Sequence, residues 1–99
     1  MIITESKNQK PIRLTDERWA HILAEHGELA DLKDIILETV SAPYRILVGG
    51  ADELLAIREV ESGKWLVVVY KEQTIDGFNI TAFLTRRAAS LNRRKQLWP

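Results

Sequence analysis

The run Trp65-Leu66-Val67-Val68-Val69-Tyr70 constrains this chain more than any other feature. It is the longest unbroken apolar stretch in the sequence. Side chains in a strand alternate between two faces, so this run has no polar face to show to water. It is far shorter than the ~20 apolar residues of a membrane-spanning helix. Its valines and aromatic residues favour a strand. A central strand covered on both sides is therefore expected, and the rest of the fold must supply the cover.

The neighbouring residues supply more strands. Residues 44–48, 54–60, 64–71 and 78–85 form four apolar-rich runs. They are separated by Gly49-Gly50, by Glu61-Ser62-Gly63 and by a segment containing Asp76-Gly77. Such short connections predict antiparallel neighbours. In the last run Phe78, Ile80, Ala82 and Leu84 should meet the core, leaving Asn79, Thr81, Phe83 and Thr85 on the open face. If Leu55 and Ile57 also pack inward, Arg58 joins the two threonines on that face.

Before Pro43 the period changes from two to 3.6. Thr15 reads as a helix cap, with Asp16 and Glu17 in the first turn where the helix dipole favours acids. Trp19, Ile22, Leu23 and His26 then recur at i, i+3, i+4 and i+7, and Gly27 is the natural stop. A second helix is expected over residues 30–40, ended by Pro43. The fold class is thus α+β: two N-terminal helices packed on a four-stranded antiparallel β-meander. At 99 residues this is one domain. Residues 1–10 read as a flexible arm, 11–87 as the domain and 88–99 as a basic tail.

A net charge of zero conceals a separation of sign. Residues 16–38 hold seven acids against two bases, whereas residues 86–99 hold five bases and no acid. A basic end of this kind suits a polyanion such as RNA, or an acidic surface within the same chain or a second copy. A homodimer is one expectation from this pattern. The chain has no cysteine, which excludes disulfides and thiolate metal sites. Residues 1–10 lack the apolar segment of a secretion signal, so a cytoplasmic protein is expected, with no membrane partner.

Two histidines are available for chemistry. Five residues at ~100° each set His21 and His26 about 140° apart around the helix, so they cannot share a metal. No metal or cofactor is expected. His26 is either a rim residue satisfied by backbone or an acid/base near neutral pH. His21 lies off the apolar stripe beside Glu17 and Glu25, and its pattern favours a solvated surface residue over a catalytic one. Arg58 interrupts an apolar strand and either snorkels or offers its fork to phosphate. Thr81 and Thr85 share a face, with Arg86 next in sequence. A histidine, an arginine and hydroxyls around one sheet are the groups that cleave a phosphodiester without metal.

The order of these residues resembles a known family. Trp19-x-His21-Ile22-x3-His26-x-Glu28 precedes a helix closed by Pro43, then Trp65 to Tyr70, then Gly77-Phe78-x-Ile80-Thr81-Ala82-Phe83-x-Thr85-Arg86. Over residues 11–87 this is similar to the phage and prokaryotic nuclease-like domains grouped with barnase, EndoU, the tRNase colicins and RelE. A glycine, Gly27, stands where members often carry proline. The resemblance implies a metal-independent endoribonuclease, phage-derived or the toxin of a toxin-antitoxin pair. RNA would be the substrate and an antitoxin protein the partner. His26, His21, Arg58, Thr81 and Thr85 would be catalytic. Arg86, Tyr70, Lys71 and Arg87 would bind substrate. A non-enzymatic RNA- or protein-binding module on the same fold is the alternative.

Overall fold

Thr15 does what its position requires. Its hydroxyl accepts the Arg18 backbone N–H at 3.1 Å and opens α1 (Asp16–Glu25). His26 closes that helix through its N–H to the Ile22 carbonyl. A single 3-10 turn, Gly27–Leu29, follows and buries Leu29. The second helix, α2 (Lys33–Ser41), starts three residues later than its hydrophobic stripe suggests. No side chain caps it: Leu32 holds the N-cap position and is spent on the core instead.

The computed structural model describes residues 1–99. Its strands are β1 (Ile2–Glu5), β2 (Pro11–Leu14), β3 (Arg45–Val48), β4 (Leu54–Glu61), β5 (Lys64–Glu72), β6 (Gly77–Thr85) and β7 (Gln96–Trp98), with a short helix α3 (Ala88–Asn92) before the last. They form one seven-stranded sheet in the order β1-β2-β6-β5-β4-β3-β7. The β3 to β6 meander is antiparallel as expected, with the Trp65–Tyr70 run between β4 and β6.

The ends of the chain depart from expectation. Residues 2–5 are a strand, not a loose arm, and pair with β2 from Ile2↔Leu14 to Glu5↔Pro11. β2 in turn joins β6 in parallel, through Ile12↔Gly77 and Arg13↔Phe78. Gly77 is required there. A Cβ would stand 2.1 Å from the Lys71 carbonyl oxygen and 2.8 Å from Ile12. The hairpin turn is tied down as well, since Ser6 and Asn8 both donate to the Glu72 carboxylate. The basic tail is also structured. After α3 it returns as β7, antiparallel to β3.

The sheet curls around the helix pair. Thr4 of β1 donates to the Leu37 carbonyl in α2 at 3.4 Å. At the far flank Trp98 of β7 pairs with Ile46, and the Lys7 ammonium stands 4.8 Å from the Trp98 ring centre. The β1–β2 turn and β7 therefore approach each other. In α2, Ile36, Thr39 and Val40 have no exposed surface.

The sheet separates two cores. On the helix side Ile12, Leu14, Ile22, Leu29, Ile36 and Val40 meet Ala56, Leu66, Val68, Tyr70 and Ala82. On the other side Leu47, Leu55, Ile57, Val67 and Val69 meet Leu91 of α3. Two expectations change here. Leu55 and Ile57 face α3, so Arg58 faces the helices. A register shift between Val69 and Tyr70 also moves Ile80 to the α3 side and puts Asn79 opposite Tyr70 in the main core. Beyond the shift Ala82 and Leu84 face the helices, while Thr81, Phe83 and Thr85 face away, as the alternation predicts.

Candidate nucleic-acid interface

The α3 side of the sheet carries a cleft of about 490 Å³. Its floor is apolar: Leu55, Val69, Phe83 and Leu91. Its walls carry Thr85, Arg87, Ser90 and Arg94, with Gly49, Gly50 and Glu53 from the β3–β4 loop opposite. The local sequence explains this shape. Thr85 ends β6, and its hydroxyl accepts the Arg87 N–H at 3.1 Å, which turns the chain into α3. Arg87 caps α3 and Arg94 follows its end, so burying Leu91 holds the segment that sets both arginines beside the cleft. Arg94 also donates to the Val48 carbonyl at 3.2 Å.

Electrostatics follow the same division. Arg87, Arg93, Arg94 and Lys95 take part in no ion pair. The only link from the basic segment to an acid is Arg86 to Glu61, at 3.9 Å between two exposed side chains. The tail therefore does not neutralise the acidic helices. The sheet keeps the two charge populations on opposite sides. Glu53 is the one acid in the cleft lining.

His26 reaches this region from the rim. It caps α1 beside β6, and its ring lies 6.3 Å from the Phe83 ring, tilted by 38°. That separation is within the range of aromatic pairs. Glu28 stands 3.6 Å from its Nδ1. His21 is elsewhere. It is exposed, pairs with Glu25 at 3.2 Å, and borders a hollow with Thr15, Glu17 and Arg18.

The remaining site candidates are dispersed. Arg58 lies under the end of α2, where it donates to the Ala42 carbonyl at 2.7 Å. Glu38 is 3.6 Å away, and the Tyr44 ring centre is 5.4 Å from the guanidinium. This fork neutralises the negative end of a helix. Tyr70 is fully buried in the main core, its hydroxyl without a partner. Burial, and secondarily the Glu72 carboxylate, push its phenol well above the usual tyrosine range. Lys71 is six positions along β5 from Trp65, the partner of Thr85, or about 20 Å away. Thr81 shares the α3 side, opposite Val69. Of the residues singled out in the sequence, the cleft thus gathers Thr85 and Arg87, with His26 at its rim.

Sequence reasoning passed over Glu53, Ser90 and Phe83 as site residues. Leu91, set between Arg87 and Arg94, was the available signal for the α3 wall. Comparisons with family models, curated proteins and solved structures gave no match.

Proposed function

We propose that this protein is an RNA-binding domain that cleaves RNA without a metal, using the α3 face of its sheet. One observation carries the reading. Phe83 both lines the cleft with Thr85, Arg87 and Arg94 and meets the ring of His26. An imidazole therefore stands at the rim of an arginine-lined cleft with an aromatic floor. Arginine forks fit phosphate oxygens, and an aromatic face accepts an unstacked base.

The reaction is transesterification. The ribose 2′-oxygen attacks phosphorus while His26 takes its proton, and the bond to the 5′-oxygen breaks. The leaving oxygen takes a proton from water, and the product is a 2′,3′-cyclic phosphate. Arg87 and Arg94 offset the charge that builds on the phosphorane, and Thr85 donates to one of its oxygens. Arg58 and Tyr70 have no part in this step and support the fold instead. The chemistry fits a phage-derived ribonuclease or a toxin that an acidic antitoxin would silence. Such a protein works in the cytoplasm.

The dispersal of His21 and Arg58 favours a second reading, RNA binding without cleavage. A mixed single-stranded RNA incubated with the protein in EDTA separates the two. Cyclic-phosphate products that fall by about 10²-fold or more in His26→Ala support cleavage. Equal product from both proteins removes His26 from the mechanism. Binding with no product from either leaves the second reading.

A further inference from the structure

A second groove, of about 380 Å³, lies between the start of α2 and the β4–β5 turn. Its floor is Leu32, Ile35, Val60 and Leu84, each partly buried against the main core. Around that floor stand the carboxylates of Glu28, Asp31 and Glu61, against the single ammonium of Lys64. Asp31 is exposed and takes part in no ion pair. Glu28 and Glu61 meet only His26 at 3.6 Å and Arg86 at 3.9 Å. The groove is thus apolar below and negative at its rim.

The C-terminal end of the chain carries the complement. Arg93 and Lys95 are exposed, take part in no ion pair and lie outside the lining of the α3 cleft. The Lys95 carbonyl accepts the Val48 N–H at 2.9 Å, which holds this segment against β3. β7 then pairs through Gln96 and Trp98, and the register shift between them leaves Leu97 opposite no residue of β3. A bulge of this kind turns a side chain outward. Leu97 is 49% exposed. Within one chain Arg93 and Lys95 reach none of the groove acids. A second copy presents both patches at every encounter, and a net charge of zero leaves no overall repulsion to oppose it.

We propose that copies of this chain associate by seating the Arg93–Leu97 segment of one in the Glu28–Asp31–Glu61 groove of another, with Leu97 on the apolar floor and Arg93 and Lys95 at the carboxylates. Covering Leu97 supplies attraction, and the charges set the choice of partner and the register. The contact joins two different patches. Mutual exchange between two copies closes it, and one-way addition extends it.

Sedimentation equilibrium of the full chain, free of RNA, tests this. Self-association should be strong at about 10 mM salt, where charges act over about 30 Å, and about ten-fold or more weaker at about 1 M, where they act over about 3 Å. Asp31→Lys and Lys95→Glu, both at exposed positions, should each weaken it about ten-fold at low salt. The double variant carrying both changes restores an opposite pair and should associate more tightly than either single variant. Leu97→Ser should weaken association, whereas Ile75→Ser, an exposed apolar site outside both patches, should not. A monomer at low salt would overturn the proposal, and with it the second copy as occupant of the groove. So would single variants that associate like the unaltered chain, or a double variant no tighter than the singles. No RNA enters the measurement, so its outcome is separate from that of the ribonuclease reading.

Discussion

Tyr70 and Arg58 show how a residue that looks chemical can be structural. Both interrupt or end an apolar strand run, and both could serve a phosphate. Tyr70 instead fills the main core, its hydroxyl dry and unpartnered. Replacing it by phenylalanine removes an unsatisfied polar group, so Tyr70→Phe should leave stability unchanged or raise it by up to about 1 kcal/mol in urea unfolding. The raised phenol also fixes the sign of an alkaline effect. The folded state holds that proton at a pH where the unfolded chain releases it. Stability should therefore be full below about pH 10, fall as the pH rises past it, and fall less steeply in Tyr70→Phe. Arg58 secures the end of α2. Arg58→Ala should cost about 1–3 kcal/mol in thermal or urea unfolding. It should leave RNA affinity unchanged, which an arginine holding substrate phosphate could not do.

At the scale of elements, α3 is the piece on which the cleft depends. Five residues cannot hold a helix in water by themselves. Leu91 anchors it, buried among Leu47, Leu55, Ile57, Val67 and Val69. Leu91→Ala should destabilise the protein by about 2–4 kcal/mol and weaken RNA binding together, since Arg87 and Arg94 lose their support. Unfolding curves and RNA titrations on the same variant check both effects. The central elements were legible because periodicity reports burial. The change from a 3.6 period to alternation at Pro43, and the two-sided apolar run at Trp65, placed α1, the meander and the central strand. β1 and β2 were not legible as a pair. Ile2-Ile3-Thr4-Glu5 is short, and its partners and its parallel link to β6 are set by tertiary packing. The register shift beside Ile80 was equally invisible. It reverses the facing of Asn79 and Ile80 without any glycine or proline to announce it.

Across the whole molecule the sheet acts as a partition. Acids collect on α1 and α2, and unpaired arginines collect on the α3 side. Sequence showed the separation of charge but not where it points, because the tail could equally have folded back onto the helices. The candidate site was legible in part for the same reason. Thr85 and Arg87 meet at one cleft because they are close in sequence, and His26 reaches its rim through Phe83. Arg58 and His21 needed three-dimensional information to place. The central claim is that RNA binds across the α3 face, and fluorescence anisotropy with a labelled single-stranded RNA in EDTA tests it most directly. The account predicts that Arg87→Ala combined with Arg94→Ala weakens binding about ten-fold or more and flattens its dependence on salt. Unchanged affinity and salt dependence in that double variant would contradict it.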